Sequence, residues 1–127
     1  ELFSSSVFTR VLYKNIRTTK EAVEKGVDVR FITEFDEKKI SLYKTWLRTG
    51  AKIRVFNKEI FGPQLSRFGV YDGKLARLTI GAPEIKDLKD VVTMWTTSPT
   101  FAKMFRIHFL YMWKESTPIR KYLKKMK

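Results

Sequence analysis

The chain contains no cysteine, and that absence excludes disulfides, thiol nucleophiles and cysteine-based zinc sites while fitting a reducing, cytoplasmic setting. It has a single histidine, His108, so neither a histidine-rich metal site nor a multi-histidine catalytic centre can be assembled. Acidic residues are scarce, 13 against 26 lysines and arginines. Long hydrophobic runs are missing too. The densest, Ile107 to Trp113, is interrupted by His108 and falls far short of the ~20 apolar residues that cross a bilayer. No basic-then-apolar leader opens the sequence, and no G-x-x-x-x-G-K-[ST] phosphate loop occurs in it. The expectation is a chain without a membrane segment, a metal or a cofactor.

What is present is enough for one globular domain: 127 residues, 43% hydrophobic and 14% aromatic. The opening Leu2-Phe3-Ser4 reads as the end of a strand, so a fragment of a longer protein is expected. The formal net charge of +13 invites a nucleic-acid reading, because a basic surface gains affinity by releasing phosphate counterions. Much of the excess gathers at the end, where Lys114, Arg120, Lys121, Lys124, Lys125 and Lys127 face Glu115 alone. The boundaries expected are a domain over 1–115 and a basic C-terminal tail over 116–127. A solvated tail is the plain reading, and a phosphate-contacting one is its functional rival.

Read in order, Ser4-Ser5-Ser6 offers N-caps for a helix carrying Phe8, Leu12, Ile16 and Val23 on one face and stopping at Gly26. Val27 to Phe35 follows as a strand. Asp36 caps a second helix with Ile40, Tyr43 and Leu47 inward and Gly50 at its end, and Lys52 to Phe56 repeats the strand signature. The segments Gly26-Val27-Asp28-Val29-Arg30-Phe31 and Gly50-Ala51-Lys52-Ile53-Arg54-Val55 share the pattern G-x-x-[VI]-R-[FV]. Neighbouring parallel strands joined by helical crossovers produce such a repeat. Arg30 and Arg54 are unusual in strands covered on both faces; either they emerge near the strand ends or they meet carboxylates.

Gly62-Pro63 lies in a loop, and Asp72-Gly73 between two apolar runs predicts a two-residue hairpin turn with positive φ. Val91 to Thr97 reads as another strand. Ser98-Pro99 then starts a helix through Trp113 that is apolar on nearly every side except at Lys103 and Arg106, the mark of a helix enclosed by other elements. The fold class expected is α/β, with a mixed, mostly parallel sheet flanked by helices and a long aromatic C-terminal helix.

This order resembles one half of the phospholipase D fold. The stretch Glu21-Ala22-Val23-Glu24-Lys25-Gly26-Val27-Asp28-Val29-Arg30 is similar to the A-x-x-(R/K)-G-V-x-V-R segment of that superfamily. Its catalytic signature, H-x-K-x-x-x-x-D followed by Gly-Ser, aligns on the Asp-Gly turn with Leu65 at the His, Arg67 at the Lys, Asp72 at the Asp and Gly81-Ala82 at the Gly-Ser. Leucine has no atom that can attack phosphorus, so the resemblance implies a degenerate, non-enzymatic copy. Such copies form the effector-sensing domain of TrmB-type archaeal transcription regulators, and Phe101, Phe105, Phe109 and Trp113 resemble the closing aromatic helix of that domain.

The implied role is a ligand-sensing and dimerising module, with DNA reached through a domain outside this chain. Arg67 is the best single candidate for holding an anionic or sugar ligand, because guanidinium presents a bidentate fork. Thr33, Glu34, Asn57 and Lys58 are expected on the same strand edge. The alternative is direct nucleic-acid binding through Arg120, Lys121, Lys124, Lys125 and Lys127, and a third reading is an input domain of a signalling protein. His108, Asp72, Trp46 and Trp95 are read first as core, turn or boundary residues.

Overall fold

The computed structural model of the chain describes residues 2–5, 16–61, 67–80 and 92–125. Seven strands form one sheet: β1 (Leu2–Ser5), β2 (Val29–Thr33), β3 (Lys52–Val55), β4 (Arg67–Tyr71), β5 (Leu75–Ile80), β6 (Val92–Thr96) and β7 (Thr117–Pro118). Their spatial order is β6-β5-β4-β1-β2-β3-β7. The helices are α1 (Ile16–Glu24), α2 (Ile40–Arg48), α3 (Lys58–Phe61), α4 (Pro99–Lys114) and α5 (Ile119–Lys125). Among the described residues no helix is long and apolar enough to cross a membrane.

The helix–Gly–strand repeat is realised. β1, β2 and β3 are parallel neighbours, with Ser5 beside Ile32 and Ile32 beside Arg54. Asp36 caps the second helical segment as expected, its Oδ1 accepting from the Lys38 N–H at 3.0 Å across a short 3-10 turn that leads into α2. Gly26 and Gly50 both take positive φ after their helices. Gly50 is also a contact point, since a Cβ there would lie 2.6 Å from Cγ1 of Val23 on α1.

Elsewhere the sheet departs from expectation. It is mixed but not mostly parallel: β4 runs antiparallel to β1, β5 to β4, β6 to β5, and β7 to β3. The hairpin turn has the positive φ at Asp72 and Gly73 that the dipeptide demands. Tyr71 nevertheless pairs with Leu75, which leaves Asp72, Gly73 and Lys74 as a three-residue loop. Ser4 and Ser5 are strand residues rather than helix caps, and α1 begins at Ile16. The segment expected to trail as a tail is packed: Pro118 pairs with Arg54, Ile119 is fully buried, and Tyr122 and Leu123 lie against the core.

Two apolar layers hold the sheet, as the period-two alternation of strands requires. On one face Val29, Phe31, Ile53 and Val55 pack with Tyr43 and Trp46 of α2 and Ile119 of α5. On the other, Ile32, Phe68 and Val70 pack with Phe109 and Met112 of α4. Arg30 and Arg54 belong to this second face; the expected carboxylate is found for Arg30 alone, and Arg54 meets a helix-end carbonyl that the expectation did not include. Arg30 finds a carboxylate, Asp28, at 2.8 Å, while Arg54 donates to the Trp113 carbonyl at 2.9 Å near the C-terminus of α4. Their guanidinium carbons sit 5.5 and 5.1 Å from the centre of the Trp113 ring. A charged donor on the carbonyl end of a helix, combined with a cation over indole, is worth about 1–3 kcal/mol. Arg54→Met is therefore expected to lower the unfolding free energy by about 2 kcal/mol in urea titration. Arg17→Met, which breaks only an exposed ion pair to Glu21, is expected to change it by less than about 0.5 kcal/mol.

Candidate functional site

Three surfaces are candidates for a functional site. The first is the edge where β2 and β3 end and β4 begins. Ser5 pairs with both Ile32 and Phe68, so Arg67 enters the sheet at the end where Thr33 leaves it, with β1 between them. Nothing is described of the Arg67 side chain. Thr33 is buried, its Oγ1 donating to the Glu34 carbonyl at 3.0 Å. Lys58 Nζ lies 3.5 Å from Glu34 Oε2. Asn57 accepts from the Glu59 N–H at 3.0 Å, which starts α3, and its Nδ2 donates to the Glu115 carbonyl at 3.4 Å. The fold thus brings the predicted residues to one edge, but Thr33 and Asn57 already hold structural hydrogen bonds there. A cavity of about 410 Å³ at this edge is bounded by Glu34 to Lys39 and includes neither Asn57 nor Lys58. Of the degenerate motif, Leu65 and Gly81-Ala82 lie outside the described residues, and Asp72 is a turn residue.

The second surface is α4. Its expected enclosure is wrong: Ala102, Phe109 and Met112 are buried, yet Phe101, Met104, Ile107 and Tyr111 are 55, 61, 58 and 54% exposed. Their three- and four-residue spacing puts them on one stripe of the helix. Met94 on β6, 56% exposed, stands opposite Leu78, which stands opposite Phe68 on the α4 side of the sheet. His108 is exposed, with its ring 5.8 Å from that of Phe68. Among the described residues no three His, Asp or Glu side chains converge as metal ligands.

The third surface lies between α2 and α5 on the opposite face. A cavity of about 420 Å³ is lined by Lys44, Leu47, Arg48, Arg120, Leu123 and Lys124. An adjoining cavity of about 320 Å³ shares Leu47 and Arg120 and extends to Lys52, Arg54 and Trp113. Neither is lined by an acidic residue. Of the predicted basic-tail residues, Arg120 and Lys124 face this groove, Lys121 and Lys125 are exposed outside its lining, and Lys127 lies outside the described residues. Sequence reading missed Lys44, Arg48 and Lys52. The i, i+4 spacing of Lys44 and Arg48 was the available signal, but only the packing of α5 shows what they face.

The chain shares its fold with TrmBL2. That protein is described as an archaeal chromatin protein that shows a novel mode of DNA binding; the match has a TM-score of 0.63 and 11% identity and covers 92% of this chain. It covers 44% of TrmBL2, so the present chain corresponds to less than half of that protein. At this identity the likeness establishes the fold. No protein-family model matches the chain, and no curated protein matches its sequence.

Charge at the groove's outer end is partly compensated. Burial alone would raise the Asp28 carboxyl, but the Arg30 hydrogen bond and the Arg30 and Lys52 charges outweigh it and hold the group below its ordinary value. A carboxyl depressed in the folded state stabilises the fold above its unfolded pKa of about 4, and that contribution disappears as pH falls through the lower, folded value. Asp28→Asn is accordingly expected to flatten the acid limb of stability against pH, as measured by urea unfolding from neutral pH down to about pH 2.

Proposed function

We propose that the chain is a non-catalytic regulatory domain of a DNA-associated protein, working by self-association through α4. The carrying observation is the outward stripe Phe101, Met104, Ile107 and Tyr111. Four of the seven most exposed large apolar side chains among the described residues lie on this one helix, which distinguishes the stripe from scattered surface apolarity. A second copy of the chain is the occupant that fits. The stripe carries no charge of its own, and an isologous helix pair sets each stripe against its equal. From Phe101 to Tyr111 it runs about 15 Å, and Met94 widens it on the sheet side. Such a patch is at the small end of stable interfaces, which points to a micromolar dimer.

The fold likeness to TrmBL2, itself described as DNA-binding chromatin protein, supports the association with DNA, and the resemblance to TrmB-type regulators supports the regulatory role. Leucine at position 65 supports the non-catalytic reading. The ligand-sensing arm of the proposal rests on Thr33, Glu34, Asn57 and Lys58 meeting at one strand edge with the Arg67 backbone. A small anion or sugar held there would bias α4 through Asn57, which bonds the Glu115 carbonyl just past the helix.

Sedimentation equilibrium is expected to show a concentration-dependent dimer, and Met104→Glu/Ile107→Glu to leave a monomer whose melting temperature is within a few degrees of the parent. A parent chain that stays monomeric at high concentration contradicts self-association. For the ligand arm, inorganic phosphate, glucose 6-phosphate and glucose are the probes; a rise in melting temperature that Lys58→Ala abolishes is expected, and no rise with any of them removes that arm alone.

A further inference from the structure

We infer that the groove between α2 and α5 is a second, direct contact surface for the phosphodiester backbone of nucleic acid, independent of α4 and of any domain outside this chain. Lys44 and Arg48 stand one helical turn apart on α2, and Arg120 and Lys124 stand one turn apart on α5. All four are exposed, all four line the same cavity, and none takes part in an ion pair among the described residues. Like charges at i, i+4 weaken a helix, so two such pairs facing each other do not serve stability. A cleft lined by one sign of charge concentrates the opposite charge within it.

The geometry favours a chain of phosphates over a single anion. The cations repeat about every 6 Å along each helix, comparable with the separation of successive phosphates along a strand. Two of the four are arginines, whose planar fork fits phosphate oxygens in pairs. The neighbouring cavity adds Lys52, paired with Asp28 at 3.4 Å, and Arg54, held by the Trp113 carbonyl, around the β3–β7 edge, so the free charge is concentrated in the α2–α5 groove. The six groove-lining side chains include only cations and leucines, and none carries an acceptor for the amino groups of base edges. Binding is therefore of the positioning, sequence-independent kind. An acidic protein segment could satisfy the same charges, and the experiment separates the two.

The 127-residue chain is titrated against a fluorescein-labelled duplex of arbitrary sequence, with anisotropy followed from 50 to 200 mM salt. Four phosphate contacts predict a slope of log affinity against log salt of about −3.6. Arg48→Glu/Arg120→Glu is expected to weaken binding roughly tenfold or more and to make the slope shallower by about 2. Lys20→Glu/Lys25→Glu, an equal charge change at exposed positions in α1 and just after it, is expected to stay within about twofold. Lys44→Gln/Lys124→Gln removes charge from the groove without adding any, and is expected to lower affinity with an unchanged melting temperature. The inference is overturned if the parent chain fails to bind duplex at 50 mM salt, or if the α1 control weakens binding as much as the groove variant. It is also overturned if poly-glutamate of matched charge competes as well as unlabelled duplex, because the occupant is then an acidic protein segment. Failure of the α4 dimer leaves each of these outcomes readable, since the groove lies on the other face of the sheet.

Discussion

The clamp on Trp113 is the contact on which the arrangement of this domain depends. Two arginines from equivalent positions of a repeated helix–strand unit reach up from β2 and β3 to the same indole ring, and one of them also takes the carbonyl at the end of α4. The Ser116 hydroxyl donates to that carbonyl as well, at 2.6 Å. The chain can then turn at Glu115, pair Thr117 with Val55 and send Ile119 into the core on the far side. One polar junction thereby fixes where α4 ends and where α5 begins. Both proposed surfaces, the stripe on one face and the basic groove on the other, are consequences of that placement.

Much of the local structure was legible in the residues. The glycines at 26 and 50 stop their helices with positive φ, Asp36 caps, and Asp72-Gly73 turns the hairpin, because each rests on backbone chemistry that a residue or two decides. The strand directions were less accessible. The β1–α1–β2–α2–β3 portion follows from the repeat, but the antiparallel placement of β4 against β1 joins residues about 65 positions apart that carry no local signal. The long strand-rich meander from β4 to β6 therefore shifts the sheet from the parallel balance expected.

The candidate surfaces show the same division. Thr33, Asn57 and Lys58 share one edge because the ends of parallel neighbours coincide; the hydrogen bonds of Thr33 to Glu34 and of Asn57 to Glu59 and Glu115 carry no signal in the sequence. Apolarity around α4 reads as enclosure, yet Phe101, Met104, Ile107 and Tyr111 stay exposed, because a hydrophobic pattern does not say which faces the rest of the chain covers. By its charge the terminal basic segment reads as a solvated tail. Ile119, Tyr122 and Leu123 already have helical spacing, and their packing turns a charged tail into one wall of a groove whose other wall, Lys44 and Arg48, lies more than seventy residues earlier.

Self-association through the α4 stripe is the central claim, and the absence of cysteine makes it directly testable. Ile107→Cys places the chain's sole thiol at the middle of the stripe, where a two-fold pairing of helices brings the two copies together. Under mild oxidation at micromolar concentration the account predicts rapid formation of a disulfide-linked dimer by this variant, and slow formation by Thr18→Cys, whose position is exposed on α1. Equal, slow cross-linking of the two variants would contradict it.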